Sequence, residues 1–379
     1  MIYFDNAATT FPKPAKVVAA VNQAMSLYGA NPGRSGHKMS LATAEQIYNC
    51  REKLAELFHA NRVEDVVFTQ NCTQSLNIAI KGILRWGDHA IISDLEHNSV
   101  LRPMEKLKND GLITYDILKI GQDAAETVAR LEKLIRPNTK LIAVTHGSNA
   151  FGICVPIEAI SNVAKKHGCY FLVDSAQSAG VLPIDIQKLG IDFLCMPGHK
   201  GLYGPSGTGV LIANNGERFN TLIEGGTGSV SLSYKQPDFM PDRLESGTLN
   251  TIGIIGLSAG IDFVNQTGLN AIYEHEFELT NMIDSGLRNI PGVILYTAPP
   301  RKGQNLPVIS FNLSGKKGDE TAGLLDEAGF ALRGGFHCAP LAHKKMGTLE
   351  SGTARVSIGA FNTKIQAQAF CNIVKKFSK

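Results

Sequence analysis

Two reactive side chains stand where apolar runs stop. The run Tyr170–Val173 ends at Asp174, and the run Ile191–Met196 leads into Pro197-Gly198-His199-Lys200. A Gly-rich turn follows Lys200, and another strand-like stretch begins at Gly209. If the two runs are neighbouring parallel strands, the carboxylate and the amine meet at one edge of a sheet. A carboxylate directly after an apolar strand is costly when buried without a partner; its plainer use is to cap the segment that follows. The lysine is set among glycines, a poor match to a solvated surface side chain. Burial lowers a lysine's pKa and leaves a neutral amine that acts as nucleophile and proton carrier. A lysine that captures an aldehyde, facing an acid that keeps a pyridine nitrogen protonated, is the pair that pyridoxal 5'-phosphate (PLP) requires.

Weaker candidates surround this pair. Thr73 follows Gln70-Asn71-Cys72 at the start of a predicted helix. Helix N–H groups with that hydroxyl form an anion cradle, or merely an ordinary cap. His97, in Asp94-Leu95-Glu96-His97-Asn98, comes just after a predicted strand. Its ring is placed either to stack on a planar cofactor or to cap local backbone. Asn149 has the same standing, with turn formation beside Gly152 as its alternative.

The elements that must position these groups are read from period and punctuation. Strands at 66–69, 89–93, 113–118 and 141–145 alternate with helices near 75–84, 100–108, 127–135 and 157–166. Helices at 17–27 and 41–58 precede them, and a short strand-like start at Tyr3–Asn6 stops before Pro12. Such alternation predicts a mainly parallel sheet covered by helices. A helix at 253–264 leaves that unit. Beyond it, strands at 293–296, 308–312 and 355–358 with helices near 321–328 and 365–377 predict a smaller α+β unit.

Composition narrows the function class. The 379 residues are 44% hydrophobic with a formal net charge of +3, which gives no reason to expect nucleic acid or an anionic membrane. No apolar stretch approaches the roughly 20 residues of a membrane span, and the first residues lack a signal-peptide pattern. The seven cysteines are scattered, odd in number and free of CxxC spacing. No disulfide framework or metal site is expected, and the cytoplasm is the expected location.

Taken together, these segments resemble the cysteine desulfurase and selenocysteine lyase family of the class V aminotransferase superfamily, in its group II form. The resemblance rests on Asp5-Asn6-Ala7-Ala8-Thr9-Thr10, the loop Arg34–His37, Thr73-Gln74, Glu96-His97-Asn98, Ser148-Asn149, Asp174–Gln177, Gly198-His199-Lys200, Glu245–Asn250, Arg333–Cys338 and Arg355. It implies a fold-type I α/β enzyme: an N-terminal segment (1–15) packing on a small C-terminal α+β domain (259–379), and a large domain (16–258) with a mainly parallel seven-stranded sheet. It also implies roles. Lys200 carries PLP, Asp174 pairs with the pyridine N–H, His97 stacks on the ring and Gln177 bonds its hydroxyl. Thr73, Gln74 and His199 hold the phosphate, and Thr248 reaches the phosphate of a neighbouring subunit in a homodimer. Arg355, with Asn149 and Arg333, receives the substrate carboxylate; a guanidinium fork suits it.

Cys338 sets the reaction that the resemblance implies. It follows Arg333-Gly334-Gly335-Phe336-His337, where the family places its sulfur acceptor. Glycines, an arginine and a histidine suggest an accessible loop that favours a thiolate, against the bland reading of a core cysteine. The expected reaction converts L-cysteine to L-alanine. Lys200 removes the Cα proton, Cys338 takes the sulfur as a persulfide, and a thiol or acceptor protein collects it. L-selenocysteine is the alternative substrate. A class V aminotransferase, lyase or epimerase that ignores Cys338, or a non-enzymatic PLP-binding protein, is the alternative function. Two departures from the family are visible. Pro197 replaces a hydroxyl residue before His199-Lys200 and offers neither hydroxyl nor N–H. Phe336 stands where a second histidine is common, and the stretch His343-Lys344-Lys345-Met346 beyond it is also unlike the commoner versions.

Overall fold

The computed structural model describes residues 1–33, 36–214 and 216–378. Arg34 and Ser35, in the loop that carried part of the resemblance, lie outside the described residues. Strand β1 (Ile2–Tyr3) and helices α1 (Ala15–Leu27) and α2 (Lys38–Phe58) come first. The alternating part follows: β2 (Val66–Thr69), α3 (Cys72–Ile83), β3 (Asp88–Ser93), α4 (Asn98–Asn109), β4 (Ile113–Leu118), α5 (Ala124–Glu132) and β5 (Thr139–Thr145). It continues through α6 (Ile157–His167), β6 (Tyr170–Asp174), α7 (Ile186–Leu189), β7 (Phe193–Pro197) and β8 (Gly209–Ala213).

Seven of these strands form one sheet in the order β2-β8-β7-β6-β5-β3-β4. Only β8 runs antiparallel to its neighbours β2 and β7; the other pairs are parallel. The central strands have continuous apolar runs because helices cover both faces. Ile91, Ile142, Phe171 and Leu194 pack on one face, Ala90, Ile92, Leu172 and Phe193 on the other. Pairing of β6 with β7 sets Asp174 beside Cys195. The acid and the turn carrying Lys200 therefore leave the sheet at the same edge, where open α/β sheets bind ligands.

The rest of the chain is α8 (Thr251–Thr267), α9 (Leu269–Arg288), β9 (Val293–Leu295), β10 (Val308–Leu313), α10 (Gly318–Glu327), β11 (Phe330–Ala331), α11 (Pro340–Lys345), β12 (Ala354–Ser357) and α12 (Lys364–Phe377). Strands β12-β10-β9 make a small antiparallel sheet. Its core includes Phe4 from the chain start, packed against Phe330 and Phe370. The start is thus tied here by β1 pairing in parallel with β11 and by a bridge from Asp5 to Ser357. Helix α9 has no counterpart among the sequence-predicted elements, although Ile272, Tyr273, Phe277, Thr280, Ile283 and Leu287 supply the buried helical stripe.

One buried ion pair ties α2 to the segment before α8. Glu245 accepts from both Nη atoms of Arg51 at 2.8 and 2.9 Å and from the Phe68 N–H at 2.5 Å, and Arg51 also lies over the Phe68 ring. Removing one partner leaves the other charge buried alone. Glu245→Ala is therefore expected to lower unfolding free energy by about 3–5 kcal/mol, measured by urea denaturation. A loss under about 1 kcal/mol would place this pair with the weak surface bridges.

Candidate active site

The Lys200 turn is pressed into place from two sides. Gly180, with φ of +77°, and Gly201 touch backbone to backbone. A Cβ on Gly180 would meet Gly201 O at 2.1 Å, so neither position admits a side chain. On the other side the N-terminal segment clamps the turn. The Thr9 and Thr10 hydroxyls donate to His199 O at 3.1 and 3.2 Å, Lys13 Nζ donates to it at 2.7 Å, and the Thr10 hydroxyl also reaches Lys200 O.

Lys200 faces a cleft shared with Thr73, His97, Asn149, Asp174, Gln177 and His199. Burial pulls the Lys200 pKa down, opposed by the Asp174 carboxylate. Asp174, 2% exposed, is pushed up by burial, while the Ala176 N–H at 2.9 Å, Lys200 and the Cys72 thiol at 3.6 Å stabilise its charge. His97 caps α4: its Nδ1 accepts from the Ser99 N–H at 3.1 Å. The ring proton of a neutral His97 therefore sits on Nε2. Burial, reinforced by Lys200, lowers its pKa to about 4, so the ring is uncharged at neutral pH. Ser99 links it onward, with hydroxyl contacts of 2.9 Å to His97 Nδ1 and 2.8 Å to Thr73 Oγ1.

Several groups here have no role assigned from sequence. Cys72 is a buried thiol against Asp174, and Ser99 joins Thr73 to His97. Glu96, fully buried, is pushed up to about 8 by burial despite the Ser93 hydroxyl and the Thr145 N–H on its carboxyl, so it is protonated at neutral pH. The His-x-Ser spacing of a capped helix start would have pointed to Ser99; nothing in the sequence pairs Cys72 with Asp174.

Three expected contacts differ in detail. Gln74 lies outside the lining of the cleft. Its N–H donates to Asn71 and its side-chain oxygen accepts from Gln70 N–H at 2.7 Å, because capping α3 uses them locally. Arg355, 1% exposed, already directs one prong to Asp5 and the other to Asn149 O at 3.0 Å. A substrate carboxylate would have to displace or share these partners. The third concerns Cys338. A histidine beside it suggested support for a thiolate, but His337 turns inward, 2% exposed, and burial holds its pKa at about 2. The charge near the sulfur is Arg333, whose Nη2 lies 4.0 Å from Cys338 Sγ. Cys338 itself is exposed. Its loop is docked to the cleft by Asn98 N–H on Cys338 O at 2.8 Å and Asn149 Nδ2 on His337 O at 2.7 Å.

Thr248 stands apart from the cleft, in a hollow with Asn31, Tyr48, Arg51 and Glu245; its hydroxyl accepts from Asn31 at 3.3 Å. The cleft itself fits a phosphorylated pyridine. Among the described residues, His199 Nδ1 is buried without a hydrogen-bond partner, an atom that a phosphate oxygen would satisfy. The start of α3 lines the same cleft at its N-cap Asn71 and at Cys72 and Thr73, bringing a positive helix terminus to an anion. Pro197 contributes neither hydroxyl nor N–H there.

The aminotransferase class-V family model matches residues 2–370. The chain belongs to that family. A relative from Methanothermobacter thermautotrophicus, named "Probable cysteine desulfurase", is 35% identical over 97% of this chain and 92% of its own length. The "Cysteine desulfurase" of Klebsiella pneumoniae is 34% identical over 96% of this chain and 90% of its own length. An apo structure of a cysteine desulfurase from Thermococcus onnurineus NA1 superposes with a TM-score of 0.91 at 34% identity, covering 100% of this chain and 94% of that one. Within the class-V family, then, the chain is one of the cysteine desulfurases, with the fold of the fold-type I PLP enzymes. Enzymes of this family depend on PLP, in agreement with the donor set of the cleft. No helix among the described residues is long and apolar enough to cross a membrane.

Proposed function

We propose that this chain is a PLP-dependent cysteine desulfurase that moves sulfur from L-cysteine onto Cys338 and releases L-alanine. The observation that carries this is the docking of an exposed thiol, through Asn98 and Asn149, onto the cleft that holds Asp174 and Lys200.

When bound, PLP supplies an electron sink for the carbanion at the substrate Cα. Lys200, its pKa lowered by burial, would carry it and then take the Cα proton. Asp174 would hold a proton on the ring nitrogen. His97 would face the ring as an uncharged surface. Thr73 and His199 would hold the phosphate, and Gln177 the ring hydroxyl. Arg355, Asn149 and Arg333 would orient the substrate carboxylate. Cys338, as thiolate beside Arg333, would attack the substrate sulfur. An S–S bond forms as the Cβ–S bond breaks, and Cβ gains a proton to become the methyl group of alanine. L-cysteine and one thiol thus become L-alanine and one persulfide with no external oxidant.

The division into an N-terminal segment, a large domain and a small domain at 1–15, 16–258 and 259–379 is part of this reading, supported by the two sheets and their separate cores. So is a homodimer in which Thr248 reaches the partner's phosphate, supported by Thr248 lining a separate hollow and not its own cleft. A protein acceptor for the persulfide sulfur and a reducing, cytoplasmic setting complete it, the latter supported by seven unpaired cysteines. The test is direct. PLP-loaded protein given L-cysteine and a reducing thiol is expected to release alanine and sulfide in equal amounts. Pyruvate with ammonia, or transfer of the amino group to an oxoacid, would point to another class V reaction.

A further inference from the structure

Beneath Cys338 lies a device that no single segment of sequence announces. His337 and Cys338 both have positive φ, 50° and 55°. Two successive L-residues rarely hold that conformation, and it persists only where the surroundings determine it. The twist has a use. It directs the His337 carbonyl to Asn149 and the Cys338 carbonyl to Asn98, while Cys338 stays exposed.

What holds the twist is a buried chain of hydrogen bonds. His337 Nε2 lies 3.3 Å from Arg333 O, His337 Nδ1 lies 3.4 Å from His343 Nε2, and His343 Nδ1 lies 2.7 Å from Thr348 Oγ1. A carbonyl only accepts, so the proton of His337 is on Nε2 and its Nδ1 accepts. The chain closes when His343 donates from Nε2 and accepts the Thr348 hydroxyl at Nδ1; the Phe336 and Thr348 backbone lies within reach of the same ring. Each neutral ring supplies one proton, and the chain closes without an unpaired nitrogen. Burial keeps both rings neutral, His337 at about 2 and His343 at about 4. The rings lie 13° from parallel, and His343, 0% exposed, is wedged edge-on between Phe151 and Phe336. The ring that partners His337 comes from α11, in the stretch His343-Lys344-Lys345-Met346.

We propose that His343 is the positioning residue that holds the His337–Cys338 backbone in its twisted form and so sets where the Cys338 thiol stands against the substrate sulfur. This rests on Cys338 being the sulfur acceptor. His343→Ala would leave His337 Nδ1 buried without its donor and open a void beside Phe151. His343→Gln keeps an N–H able to reach His337.

The experiment uses PLP-loaded protein and two readouts. One is hydrogen–deuterium exchange of the Phe336–Ala339 amides. The other compares persulfide formation on Cys338 with exchange of the substrate Cα proton in D2O. For His343→Ala, loop exchange should quicken and persulfide formation fall roughly tenfold to a hundredfold while Cα exchange stays within about twofold, because only the reach of the thiol changes. His343→Gln should recover much of the loss. Unchanged loop exchange in His343→Ala, or a fall in Cα exchange as large as that in persulfide, overturns the proposal. If Cys338→Ala instead forms alanine as fast as the parent, the acceptor reading has failed, and the loop exchange alone decides the positioning role.

Discussion

Lys200→Ala should stop alanine formation. The loss of proton transfer alone is worth roughly 10²–10⁴-fold, and the covalent hold on the cofactor goes with it. Both roles come from the same physical fact. The Lys200 turn is clamped by Thr9, Thr10 and Lys13 on one side and by Gly180 on the other, and burial depresses the amine's pKa. A solvated lysine would be an ammonium ion at neutral pH, with no lone pair to offer. Three measurements separate chemistry from folding. Circular dichroism and melting temperature should match the parent. Borohydride reduction should fix the cofactor's mass on the parent and not on the variant. A small primary amine added to the variant should restore part of the Cα-proton exchange. A variant that keeps activity within about tenfold of the parent would move the base elsewhere.

Cys338→Ala should separate the two halves of the reaction. Removal of the Cα proton needs Lys200 and the cofactor, not the thiol, so Cα exchange should continue near the parent rate. Sulfur departure needs a nucleophile on the sulfur, and alanine formation from L-cysteine should fall by about 10²-fold or more. Cys338→Ser should do no better, since a hydroxyl is a poor nucleophile toward sulfur. L-Selenocysteine should lose less in either variant, because selenolate leaves more readily without an acceptor. Equal losses of Cα exchange and alanine would mean that the loop's docking to Asn98 and Asn149, rather than its sulfur, is what the site needs.

Much of this was legible before the structure. Asp174 and Lys200 were readable because Asp174 ends one buried apolar strand and Lys200 follows closely on another, and polar groups at such places need a reason to be there. The parallel sheet was readable because its central strands are buried on both faces and alternate with helices. Contacts that depend on distant chain segments were not. The Arg355 fork was expected to be open to substrate, yet Asp5 and the Asn149 carbonyl reach it from 350 and 206 residues away. The inward turn of His337 depends on His343, which α11 delivers; local sequence gives only a histidine beside a cysteine. Cys72 and Asp174 meet because α3 starts beside the end of β6, a fact of packing and not of motif. The long helix α9 is a different case, since its period was present in the residues and simply calls for assignment.

The central claim is that Cys338 takes the sulfur, and one measurement meets it directly. PLP-loaded protein is given one equivalent of L-cysteine without reductant, trapped with an alkylating reagent and digested for mass spectrometry. The account predicts one extra sulfur on the peptide containing Cys338, in step with alanine released, and none on the peptides carrying the other six cysteines. Alanine released with Cys338 unmodified, or the extra sulfur on another cysteine, would contradict it.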